Sequence, residues 1–232
     1  MPDWRVPLAD VALEEADIEA VAATYRSGWL STGPRTAELE EGFAAYAGSA
    51  HAVALSSCTA ALHLGCLAAG LQEGDEVVVP SLTFVATVNA IRYCGAVPVF
   101  ADIRSLEQPW PGASEIEPLL GPRTRAVMSM AYGGDPGETD LLAELARERG
   151  LMLLEDAAHA LGAELEGRKL GTFGTFGAFS FFSNKNLPVG EGGMLVSDDE
   201  EVARRVRLLR SHGMTSLSWD RHKGHAFGYD VI

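Results

Sequence analysis

The feature that most constrains this sequence is an alternation running from His51 to Leu154. Short apolar runs recur at His51–Leu55, Glu76–Val79, Val97–Ala101, Ala126–Met130 and Leu151–Leu154. Between them lie segments of helical length and periodicity at Thr59–Ala69, Phe84–Cys94, Ser114–Leu120 and Glu138–Arg149. A helix-length crossover joins strands that run parallel, and a parallel sheet needs both faces covered. The pattern therefore predicts an α/β fold made of βαβ units. Two helices precede it. Glu14–Ser27 sets Ile18, Val21, Ala22 and Tyr25 on one face before Gly28, and Thr36–Ala47 does the same with Leu39, Phe43 and Tyr46 before Gly48. After residue 160 the pattern changes. Glu164–Leu170 reads as a hairpin turning at Gly167, and Ala178–Phe182 and Met194–Val196 read as strands. Asp198–Ser211 reads as a helix with acids in its first turn, arginines towards its end, and a buried stripe of Val202, Val206 and Leu209.

Charge narrows the classes of partner. Of 232 residues, 32 are acidic and 18 basic, a net charge of −14. Nucleic-acid binding and docking on anionic lipid both need a basic face, so neither is expected. Three cysteines, Cys58, Cys66 and Cys94, contain no C-x-x-C pair and predict neither a disulfide scaffold nor a zinc knot. Met1–Arg5 has no apolar signal core, which points to the cytoplasm. The uncharged stretch Ala52–Leu71 is long enough to span a membrane, but its pattern changes midway, as a strand, a turn and a helix would.

Four groups of residues at strand exits or adjoining turns carry possible chemistry. Asp156 ends the run Leu151–Leu154 in Glu155-Asp156-Ala157-Ala158-His159; an aspartate there either caps a helix or faces a ligand at the C-terminal edge of a parallel sheet. Lys185 follows Phe179-Ser180-Phe181-Phe182 and precedes Gly190-Glu191-Gly192-Gly193. It is either an exposed loop lysine or an amine nucleophile beside an apolar site. Ser56-Ser57-Cys58-Thr59-Ala60-Ala61 lies between a strand and a helix, where hydroxyls and free N–H groups cap the helix or bind a phosphate. Phe84, in Pro80-Ser81-Leu82-Thr83-Phe84, is either core or a stacking ring. Together these are the groups that pyridoxal 5′-phosphate requires: a lysine, an acid for the pyridine nitrogen, a phosphate cradle and an aromatic. Gly171-x-x-Gly174-x-x-Gly177 lacks the dinucleotide-binding spacing, and His222-x-x-His225 makes a poor metal site, so no metal is expected.

The segments Gly28–Pro34, Ser56–Leu64, Pro80–Thr87, Glu155–His159 and Phe179–Gly193 occur in an order that resembles the DegT/DnrJ/EryC1/StrS family, sugar aminotransferases of the aspartate-aminotransferase fold (fold type I). The resemblance implies a three-layer α/β/α large domain with a mostly parallel central sheet over residues 1–232, including an N-terminal helical segment over about 1–48. It further implies that a smaller C-terminal domain is missing, because the chain ends at Gly228–Ile232 where family members continue. It makes Lys185 the Schiff-base lysine, Asp156 the partner of the ring nitrogen, His159 a neighbour of the phenolic oxygen and Phe84 the stacking ring. It makes Cys58, Thr59, Ala60 and Ser180 contacts of the cofactor phosphate, with Cys58 standing where glycine or alanine is usual. The implied reaction moves an amino group from an amino acid, glutamate by expectation, to a nucleotide-linked keto-sugar, with Lys185 as acid and base. Relatives with histidine in place of that lysine dehydrate sugars instead. A homodimer, or pairing with a related chain, is also implied. The alternative is a cofactor-binding but inactive protein that serves as a regulatory or interaction partner.

Overall fold

Three consecutive valines show why the protein has layers. In the strand Glu76–Pro80, Val77 and Val79 belong to one core and Val78 to another, because successive side chains on a strand point to opposite faces. The computed structural model describes residues 11–214. Met1–Arg5, the His222/His225 pair and the Gly228–Ile232 end lie outside them. Within them, β1 (His51–Leu55), β2 (Glu76–Pro80), β3 (Val97–Ala101), β4 (Thr124–Met130), β5 (Met152–Asp156), β8 (Phe176–Ser180) and β9 (Gly193–Ser197) form one sheet in the order β1-β9-β8-β5-β4-β2-β3. The pairs from β3 through to β8 are parallel. β9 runs antiparallel to both β8 and β1, so β1 runs in the same direction as the parallel set. A small hairpin, β6 (Glu164–Leu165) with β7 (Arg168–Lys169), turns at Glu166-Gly167 as expected.

Helices cover both faces. α3 (Cys58–Ala68), α4 (Val85–Tyr93) and α7 (Glu200–Leu209) pack one face through Leu62, Cys66, Ile91 and Val206. The other face is shared between α2 (Pro34–Ala47), which inserts Phe43 and Ala47, and the pair α5 (Ala113–Ile116) and α6 (Thr139–Arg149), which insert Ile116, Leu142 and Leu145. α3 lies close to β8 and β9 because Gly65 has no side chain. A Cβ there would stand 2.7 Å from Phe176 Cζ and 2.8 Å from Leu195 Cδ1. The stretch Ala52–Leu71 folds as β1, a turn and α3, and no described helix is long and apolar enough to cross a membrane.

Several expectations change: Leu208, not Leu209, joins Val202 and Val206 in the buried stripe of α7, and Leu39 and Tyr46 of α2 are exposed while Phe43 is buried. α1 (Glu15–Arg26) forms, and Gly28 takes a positive φ just beyond its end, but Ile18, Val21 and Tyr25 are 53–69% exposed and no residue of the helix is buried. Its apolar face meets no packing partner among the described residues. β3 is an edge strand rather than a buried one, with Val97 and Phe100 exposed. Helical and strand periodicity report which face is apolar, not whether another element lies over it.

The glycines at 171, 174 and 177 have a structural explanation. Glu155, buried in β5, accepts the Gly171 N–H at 2.8 Å on Oε2 and the Gly174 N–H at 2.7 Å on Oε1. Gly177 in β8 lies so close to Gly171 that a Cβ would collide with its carbonyl oxygen. Burial pushes the Glu155 carboxyl up to about 7, against the pull of the backbone N–H groups and of Arg168. An acid raised in the folded state holds its proton between the unfolded and folded values. Its contribution is therefore complete below the usual carboxylate range and is lost as pH rises to about 7. Glu155→Gln removes that titration and turns an amide NH₂ towards a backbone donor. The expected outcome is a loss of about 1–3 kcal/mol in urea unfolding, together with a flatter decline of stability between pH 5 and 8.

Candidate active site

The C-terminal ends of β1, β2, β4, β5 and β8 lie along one edge of the sheet, where open α/β folds bind ligands. A cavity of about 780 Å³ opens there. Its wall includes Ser57, Cys58 and Thr59 from the start of α3, and Thr83 and Phe84 ahead of α4. Asp156 and His159 follow from the end of β5, Ser180 from the end of β8, and Lys185 from the loop beyond it.

Each group is placed by local structure. Ser57 caps α3, its Oγ accepting the Ala60 N–H at 3.1 Å. The Cys58 and Thr59 N–H groups occupy the first turn, where a helix offers no internal acceptor, and they sit at the positive end of the helix dipole. β9 runs close beneath that turn. A Cβ on Gly193 would stand 2.5 Å from Cys58 N and nearer still to the Ser57 carbonyl carbon. Asp156 is 3% exposed. Its Oδ2 accepts the Thr87 hydroxyl at 2.6 Å and its Oδ1 accepts the Ala158 N–H at 3.1 Å. Burial pushes its carboxyl above the usual range, while these two bonds and the Lys185 charge pull the other way. Burial also lowers His159, helped by Lys185. The Gly133 N–H donates to His159 Nδ1 at 3.2 Å, which leaves the proton of the neutral ring on Nε2. The Tyr132 ring meets His159 edge to face, with centroids 5.4 Å apart. Lys185 is held by its backbone, whose N–H donates to the Phe182 carbonyl at 2.9 Å.

The arrangement offers an anion cradle, a buried carboxylate, a neutral imidazole, an aromatic ring and a lysine amine in one cavity. Seven of the eight site residues expected from sequence line it. Ala60 does not, and its N–H donates to the Ser57 hydroxyl. The chain matches the DegT/DnrJ/EryC1/StrS aminotransferase family over residues 11–231. The protein belongs to that family. It is 42% identical over 233 residues to the UDP-4-amino-4-deoxy-L-arabinose–oxoglutarate aminotransferase of Shewanella sediminis, covering 100% of this chain and 60% of that one. Among solved structures, it superposes on the aminotransferase TlmJ of Streptoalloteichus hindustanus with a TM-score of 0.90 and 40% identity, over 97% of this chain and 60% of that one. It also superposes on the PLP form of a putative sugar aminotransferase, Spr1654, of Streptococcus pneumoniae, with a TM-score of 0.88 and 28% identity, over 98% and 62%. The chain thus spans about three-fifths of the length of these family members.

Sequence reasoning assigned no role to Thr87, Tyr132 or Gly133. Thr87 offers the clearest signal of the three, as a hydroxyl in the first turn of an apolar helix, where a buried polar side chain needs a partner. Gly193 is a test of the site's frame. Gly193→Ala sets a methyl group against backbone that cannot rotate away, so β9 and the start of α3 must part. The expected outcome is a loss of about 1–3 kcal/mol or more in urea unfolding, with hydrogen exchange accelerated at Ala60 and Ala61.

Proposed function

We propose that this chain is the cofactor-holding large domain of an aminotransferase that uses pyridoxal 5′-phosphate to move an amino group from an amino acid, glutamate by preference, to a nucleotide-linked keto-sugar. The observation that carries the reading is the meeting of Lys185 and a buried, doubly hydrogen-bonded Asp156 in one cavity that also contains the first turn of α3. The residues fit the cofactor. The hydroxyls of Ser57, Thr59 and Ser180 and the first N–H groups of α3 would hold its phosphate. Phe84, exposed on the cavity wall, has a free face on which a ring would stack.

When bound, pyridoxal phosphate supplies an aldehyde for the amino group and a ring that stores the electrons released at the amino acid's α-carbon. The protein's own groups do the rest. Asp156, kept out of water, would hold a proton on the ring nitrogen and so keep the ring electron-poor. His159, neutral with its proton on Nε2, would donate to an oxygen on the ring. Lys185 would anchor the cofactor and then carry a proton to and from the α-carbon. We extend the reading to a cytoplasmic enzyme working as a homodimer or beside a related chain. The PLP form of the S. pneumoniae relative supports the cofactor, and the sugar nucleotide in the name of the Shewanella relative supports the substrate class.

The test is a visible absorption scan of the purified 232-residue chain with added pyridoxal phosphate, then borohydride reduction and peptide mapping. A yellow band trapped on Lys185, absent from Lys185→Ala, is expected. A folded chain that traps no cofactor, or traps it on another lysine, overturns the reading.

A further inference from the structure

Thr83 and Thr87, to which the proposed reaction assigns nothing, form a hydroxyl chain that ends on Asp156. The Thr83 hydroxyl donates to Thr87 Oγ1 at 2.8 Å, and the Thr87 hydroxyl donates to Asp156 Oδ2 at 2.6 Å. Thr87 is fully buried, whereas Thr83 lies on the cavity wall. Thr87 lies in the first turn of α4 and Thr83 in the segment just ahead of its N-cap, so the entry into the helix brings the two hydroxyls together. We propose that this pair is a positioning relay: Thr87 fixes the orientation of the Asp156 carboxylate, and Thr83 carries the direction of the proton chain to the cavity surface. The proposal rests on the reading of Asp156 as the acid that meets the cofactor ring.

The direction follows from the inventory of protons. An ionised aspartate only accepts, so the one hydroxyl proton of Thr87 goes to Oδ2. Thr87 must then accept from Thr83, which is left with lone pairs to show the cavity. A proton on Asp156 Oδ2 reverses both bonds, and Thr83 becomes a donor at the wall. The Ala158 N–H holds the other oxygen, so both ends of the carboxylate are restrained. The groups that act on Asp156 from the elements around it are Thr87 of α4, Cys58 at the start of α3, and Lys185 beyond β8. Of these, Thr87 is the hydrogen-bonding side chain; Lys185 acts through its charge, and the Cys58 thiol is itself pushed up by burial and by Asp156. A threonine replaced by valine loses the hydroxyl at nearly constant volume, which separates the bond from the packing.

The experiment uses the 232-residue chain and three variants, Thr87→Val, Thr87→Ser and Thr83→Val. The first readout needs no cofactor: the Asp156 carboxyl is titrated by carbon NMR. Thr87→Val is expected to move the Asp156 midpoint up, Thr83→Val to move it the same way by less, and Thr87→Ser to leave it in place. The second readout is pyridoxal phosphate affinity by fluorescence. Thr87→Val is expected to weaken it by about tenfold or more, the scale of one hydrogen bond to a charged group, and Thr87→Ser by about threefold at most. A folded Thr87→Val chain whose Asp156 titrates as in the parent overturns the relay. Should Thr87→Val fail to fold, the Thr83→Val titration decides, and an unmoved midpoint there overturns it. Should the parent itself bind no cofactor, the aminotransferase reading falls while the titration still decides the relay.

Discussion

Two buried carboxylates at the end of β5 organise the protein. Glu155 and Asp156 are neighbours in sequence, and the pleat sends them to opposite faces of the sheet. A carboxylate out of water is stable only when its oxygens are hydrogen-bonded or its proton is retained. Each acid meets that demand with different material. Glu155 takes the backbone N–H groups of a glycine loop and so ties β5 to the segment that enters β8. Asp156 takes a hydroxyl from α4 and the N–H of Ala158, and so ties β5 to the helix layer over the cavity. One acid secures the frame, and the other is presented to the ligand space.

The frame matters because the site is shared among separate strands. Lys185 extends from β8, Asp156 from β5, and the anion cradle from the turn after β1. β9 lies between β1 and β8, and Gly193 lets it pass directly under the first turn of α3. Gly65 then lets the same helix settle on Phe176 and Leu195. Missing side chains at two points thus set the height of the helix whose first N–H groups face the cavity.

Much of this was legible in the order of residues. The strands and helices expected between His51 and Arg149 appear within a few residues of their expected ends, except Ser114–Leu120, where a four-residue α-helix gives way to a 3-10 turn, because alternation and helical periodicity are local properties of a chain. Lys185, Asp156, Thr59 and Phe84, each with an ordinary explanation when taken alone, drew attention as a set at strand exits and adjoining turns, and they line one cavity. The bond from the Ala60 N–H to the Ser57 hydroxyl was not legible, because a sequence does not show which N–H a capping serine will take. The stripe of α1 was legible as a stripe, but not as a face left uncovered within residues 11–214.

The sequence by itself determined the alternation of elements, the α/β class and the kinds of chemistry available at the strand exits. Tertiary structure decided which exits meet. Sheet order places β9 between β1 and β8, and β8 beside β5, and no periodicity in the chain encodes that neighbourhood. It also gave Thr87 its partner, since a hydroxyl 69 positions away from Asp156 meets it only when the first turn of α4 reaches the end of β5. Strand pairing and helix packing act between residues far apart in the chain, so the meaning of such a side chain appears only once the layers have closed.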